Sequence, residues 1–191
     1  MTSDRDPSPA SSASSSALSS SAARELRAER VVDAPPAAVW ATLADVARMG
    51  EWSPELVTMR PLLPGGLRVG QQYLGINRRG VVVWPTRSVV AELEPGRLLS
   101  WDTRTSGARW IWELEPTEDG RTRVVHRRPV PRGLTGLSRL AAPLLLGGTD
   151  AHADELEAGM ARTVERMAAA ASASAVGEQG PTTRGSGPDA G

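Results

Sequence analysis

The 191-residue chain contains no cysteine. That excludes thiol nucleophiles, thiolate metal sites and disulfides, and a cytoplasmic location is compatible with it. Lysine is absent as well, so all 22 basic residues are arginine. Schiff-base chemistry and a lysine-dependent phosphate loop are thereby ruled out. The 22 basic residues are balanced by 22 acidic ones, and a neutral chain has no global field to recruit nucleic acid or an anionic membrane. The longest apolar run, Leu140–Leu146, is interrupted by Pro143. It falls far short of the ~20 residues that a spanning helix needs, so no integral membrane association is expected. G-x-S-x-G, P-loop, H-E-x-x-H and Gly-rich dinucleotide signatures are all missing, and no cofactor is expected.

What is present divides into three parts. Residues 1–23 are dominated by serine and alanine, with Leu18 the only large hydrophobe. Such a segment buries too little area to offset its ordering entropy and reads as a disordered leader. Residues 172–191 read as a disordered tail for the same reason. Residues 24–171 read as one domain.

Within the domain, "RAERVVDA" has the β-branched run of a first strand. Pro36 follows another proline and suits a first helical position. Val39, Leu43 and Val46 recur at helical spacing, with Trp40 and Ala47 widening the stripe. Gly50 is expected to end this short helix, and Trp52-Ser53-Pro54 to prevent its resumption. The turn signals "LPGGLRVG", "NRRG", "EPGR", "RTSGAR" and "TEDGRT" then separate six further strand-like segments. A stretch broken by glycine and proline leads to a final helix from about Asp150 to Ala171, with Leu156, Met160, Val164, Met167 and Ala171 on one stripe. The predicted class is α+β: a curved, mostly antiparallel sheet of about seven strands, a short helix after the first, and a long C-terminal helix in its concave face.

Alternation then sorts side chains between the two faces. Arg87 is costly to bury, so Val83, Pro85 and Arg87 face water while Trp84, Thr86 and Ser88 face inward. The same logic turns Trp101, Thr103, Trp110 and Trp112 inward, together with Tyr73, Asn77, Val124 and His126. Met160 and Val164 of the last helix face them. Two interiors fit this set. Polar groups among indoles suit a ligand cavity; they also suit a filled interior in which hydroxyls and amides bond to one another or to backbone.

The wording of several stretches resembles a known family. "VVDAPPAAVWATLADVARMGEWSPEL", "GINRRGVVVWPTRSVVAELEPGRLLSW", "ARWIWELEPTEDGRTRV" and "ELEAGMARTVERMAAAA" look like the opening strand and helix, the meander and the closing helix of the START-like, helix-grip (SRPBCC) superfamily. The branch they resemble is polyketide cyclase/dehydrase, over nearly all of Glu29–Ala171. The resemblance implies a helix-grip fold and a hydrophobic ligand, such as a lipid or polyketide, between sheet and final helix. It supplies no motif that lays a catalytic residue onto this chain.

Three functions remain open at this stage. A carrier or sensor binds a hydrophobic small molecule without turnover. A cyclase or dehydratase uses His126 as acid and base, with Asn77, Thr103 or Ser88 holding carbonyls; its counterpart is a hydrogen-bonded wall histidine. An interaction module has a filled interior and an exposed apolar patch. Leu134–Leu146 is read as a flap at the cavity mouth or as a plain connection. No metal site is expected: His152, Asp154 and Glu155 are split around a helix start that Asp150 caps. Glu113 and Glu115 lie on the solvent face, and the arginines of "GRTRVVHRRPVPR" alternate between faces, unlike a nucleic-acid surface.

Overall fold

The computed structural model describes residues 25–129 and 149–178. The leader, the proposed flap and the end of the tail lie outside them, as do the side chains of Asp150 and His152. Strand β1 (Leu26–Val32) opens the fold and leads into helix α1 (Pro36–Ala44). A 3-10 turn (Val46–Arg48) and helix α2 (Met49–Trp52) follow. The meander is β2 (Leu56–Pro61), β3 (Gln72–Arg79), β4 (Val82–Glu94), β5 (Leu98–Thr103), β6 (Ala108–Pro116) and β7 (Thr122–Arg128). Helix α3 (Thr149–Glu178) closes the chain.

The seven strands form one curved antiparallel sheet in the order β1-β7-β6-β5-β4-β3-β2. This is the α+β, helix-grip architecture expected. Each strand from β2 to β6 pairs with the next, and β1 pairs with β7, so the first and last strands lie side by side at one edge. A bulge in β4 breaks the register between Val90 and Glu92. It adds a residue to one strand only and so reverses the alternation beyond it. Val90 lies opposite Trp101, whereas Leu93, rather than Glu92, lies opposite Leu99. Glu92 is thereby kept on the outer face, where it accepts a hydrogen bond from Ser100 Oγ at 2.9 Å.

Two corrections concern the helices. The helix expected from Pro36 to Gly50 is in fact two. Asp45 leaves helical geometry at φ −77° and ψ 74°, which stops α1 at Ala44, and Ala47 is exposed rather than part of the stripe. Gly50 lies inside α2. Its requirement is closeness: a Cβ there would stand 2.7 Å from the Val57 carbonyl oxygen. The second correction is length, since α3 continues past Ala171 to Glu178 and buries Ala175. Alanine is the best helix former, so "AAAASASA" extends a helix that tertiary contact already holds.

One core joins the layers. Val39 and Leu43 of α1, Trp52 of α2, Leu99, Trp101, Trp112, Leu114 and Val124 of the sheet, and Met160, Val164, Met167 and Ala171 of α3 are all buried in it. Thr122 Oγ1 ties β7 to the start of α1 by donating to the Ala34 carbonyl at 2.7 Å. Among the described residues α3 packs chiefly on β1 and α1, then on α2. An ion pair from Arg79 to Glu155 fastens the end of β3 to the helix. The outer face of the sheet carries cross-strand ion pairs instead, Arg127 with Glu113 and Glu25, Arg123 with Glu115 and Glu29, and Arg109 with Asp102.

Candidate functional site on the concave face

Register places the inward side chains in transverse rows. Leu26 lies opposite Arg128, and Trp110 opposite Trp101, which in turn faces Val90. The adjoining row runs Ala28, His126, Trp112, Leu99. Beyond them Thr103 faces Ser88 and Ser88 faces Tyr73, while Thr86 faces Gly75 and Trp84 faces Asn77. All the sheet residues singled out from sequence therefore share one face. Met160 and Val164 are buried on the helix opposite.

Their environments differ. Trp101 and Trp112 are packed in the core, whereas Trp84 and Trp110 are only half-buried. Trp52, expected only to help stop the helix, is the most buried indole, with the Arg48 guanidinium 5.7 Å from its ring centroid. Trp40 is half-buried and packs against the core.

The inward polar groups pair with one another. Asn77 Nδ2 donates to Thr86 Oγ1 at 3.0 Å, and the hydroxyls of Ser88 and Thr103 are 3.3 Å apart. Gly75 makes room for the first pair, because a Cβ there would stand 2.7 Å from Thr86 Oγ1. Burial pushes the Tyr73 phenol up, so it stays a neutral hydroxyl.

His126 is fixed on three sides. Its Nδ1 lies 3.0 Å from the Ile111 carbonyl oxygen; a carbonyl only accepts, so Nδ1 carries the proton and donates. The imidazole stacks on Trp112 with ring centroids 3.8 Å apart and planes 17° from parallel, and on Trp110 at 5.5 Å. Burial, opposed by the hydrogen bond to Ile111 and reinforced by the nearby Arg128 charge, pushes its pKa down to about 4. The ring is neutral at physiological pH.

Arg128 belongs to this face and was missed. It follows Thr122, Val124 and His126 at even spacing along β7, all three of them buried. Its guanidinium carbon lies 5.1 Å from the Trp110 ring centroid. The parity that turned His126 inward also turns Arg128 inward, but the surrounding run of arginines suggested only a solvated strand.

A groove of about 590 Å³ lies elsewhere, between β1 and α3. Arg27, Glu29 and Arg30 face Asp154, Glu157 and Glu165 across it, and none of the tryptophans line it. Arg30 and Glu165 bridge it at 3.5 Å. Its lining is that of a charged seam.

No helix among the described residues is long and apolar enough to cross a membrane. The fold recurs in solved structures of low sequence identity. A polyketide-cyclase-like protein of Corynebacterium glutamicum is 24% identical, with a TM-score of 0.50 over 75% of this chain and 88% of that one. KanY is 16% identical, with a TM-score of 0.57 over 78% of this chain and 97% of that one. The di-domain ARO/CYC StfQ of the steffimycin biosynthetic pathway is 18% identical, with a TM-score of 0.59 over 82% of this chain; the match spans 52% of that protein. No curated protein sequence matches. Residues 23–172 match the family described as polyketide cyclase / dehydrase and lipid transport. With most of its length accounted for by that match, and with the fold to go with it, the chain belongs to the polyketide cyclase/dehydrase and lipid transport family.

Proposed function

We propose that the protein binds a hydrophobic or aromatic small molecule, lipid-like or polyketide-like, between the sheet and α3, as a cytoplasmic carrier or sensor. One observation carries this reading. Trp84 and Trp110 face the concave side, yet they stay half-buried, because α3 packs mainly over the β1 and α1 side. Indole surface of this kind, next to a few fixed polar atoms, is what small-molecule sites are built from. Tyr73, Asn77, Thr86, Ser88, Trp101, Thr103, Trp112, Met160 and Val164 complete the wall in this account.

The state of His126 supports binding over turnover. A general base works best with a pKa near the operating pH, and a buried imidazole at about 4 is a weak one. Its hydrogen bond and ring stacks suit a wall. The related di-domain ARO/CYC structures keep the cyclase reading in view, and in that reading His126→Ala abolishes turnover while binding persists. The interaction reading draws on a different observation: Val81, Val82 and Val83 at the β3–β4 hairpin are exposed together.

Native mass spectrometry of freshly purified protein tests the main reading. A carrier is expected to release a bound mass on the order of a few hundred daltons on denaturation, the size such pockets hold. A bare chain that also ignores added hydrophobic probes refutes it.

A further inference from the structure

The three arginines of β7 have different company. Arg123 is bridged to Glu115 and Glu29, and Arg127 to Glu113 and Glu25, all on the outer face. Arg128 turns the other way. Its Nε is buried and has no hydrogen-bond partner among the described residues. Burial pushes its pKa down, to about 10, and among the described residues no carboxylate contributes an opposing pull. The group is therefore still a cation at neutral pH, half-buried with its Nε out of reach of water, and it has no counter-ion among the described residues.

That arrangement is costly. A charge drawn partly out of water is normally paired, or it forfeits part of its hydration. The face of Trp110, 5.1 Å from the guanidinium carbon, recovers a part through its ring quadrupole. His126 avoids adding to the cost, since the same burial keeps it neutral beside the guanidinium. A second donor is in the same condition: Trp112 Nε1, one row away, is buried without a hydrogen-bond partner among the described residues. Both unmet groups are N–H donors, so what they lack is an acceptor.

We propose that the ligand carries a carboxylate, which pairs with the Arg128 guanidinium at the end of β7 while its apolar body lies along the half-buried Trp110. The proposal rests on the ligand-binding reading above and specifies its ligand class. A guanidinium presents a planar fork of N–H donors that a carboxylate matches with two parallel hydrogen bonds. A neutral carbonyl meets one donor and leaves the charge unbalanced.

The test compares two ligands of one shape, 2-naphthoate and 2-naphthalenemethanol, by isothermal titration calorimetry on the full chain at pH 7. The unaltered protein is expected to bind the carboxylate at least tenfold more tightly than the alcohol. Arg128→Gln and Arg128→Met are expected to remove that preference while leaving affinity for the alcohol within twofold. Arg128→Lys, a point charge without the fork, retains part of it. Arg60→Gln, on an exposed arginine, changes neither value. Thermal unfolding of each variant establishes that it is folded. Equal binding of the two compounds by the unaltered protein, or a preference that survives Arg128→Gln, overturns the carboxylate assignment and leaves the binding site standing. Binding of neither compound at millimolar concentration overturns both.

Discussion

His126 lies flat against Trp112, ring centroids 3.8 Å apart, with its Nδ1–H committed to the Ile111 carbonyl. Burying the ring there makes folding compete with protonation. In the unfolded chain the ring titrates near 6.5, and in the folded one near 4. Between those values the unfolded state takes up a proton that the folded state refuses, so stability is full above pH 6.5 and falls as pH drops toward 4. From pH 7.5 to pH 5 the loss from this residue is about 2 kcal/mol. Urea unfolding at the two pH values measures it. His126→Asn, which keeps an N–H donor and cannot titrate, is expected to lose about 2 kcal/mol less over the same interval. Equal losses in both proteins rule out His126 as the source.

Two tryptophans on one face should respond in opposite ways. Trp112 is 2% exposed and packed in the core, so Trp112→Ala leaves a cavity and costs about 3–5 kcal/mol of stability. Trp84 is half-buried and lies outside the core cluster. Trp84→Ala is expected to cost only about 1 kcal/mol of stability and to weaken 2-naphthalenemethanol binding severalfold. Denaturant midpoints and calorimetry separate the two effects. Unchanged affinity in Trp84→Ala removes that indole from the wall.

Much of this face could be read from the sequence because charges fix parity. Arg87, Arg109 and Glu113 cannot be buried cheaply, so each assigns its strand's alternate residues to the interior. The readings that went astray concern contacts distant in sequence. Nothing local says that α1 stops at Asp45, or that Gly50 is needed because Val57 comes back against it. Trp52 reads locally as a helix stop, since the elements its helix packs on, β2 and α3, come later in the chain. Arg128 obeyed the alternation rule, but composition outweighed position: among so many arginines a single inward one does not stand out.

Gly50 offers a direct check on that close approach. A methyl group there meets the backbone of Val57, which cannot swing aside as a side chain can. Gly50→Ala must therefore separate α2 from β2. A destabilisation of about 1–3 kcal/mol is expected, despite alanine's better helix propensity. Chemical denaturation decides it, and a neutral or stabilising outcome means the two segments do not meet as described.

A residue retained for binding at the expense of stability gives itself away when it is removed. Arg128 has no counter-ion among the described residues, and its Nε is buried. Taking away a paired buried charge strands its partner, whereas taking away an unpaired one strands nothing. Arg128→Met keeps most of the volume and exchanges the guanidinium for a thioether that is content beside Trp110. The ligand-free variant is expected to be more stable than the unaltered protein by about 1–3 kcal/mol. The outer-face counterpart behaves oppositely: Arg127→Met breaks bridges to Glu113 and Glu25 and is neutral or slightly destabilising. Thermal unfolding without ligand compares the pair. If Arg128→Met is the less stable of the two, the guanidinium is paid for by contacts within the fold, and the carboxylate it was thought to await is not needed to explain it.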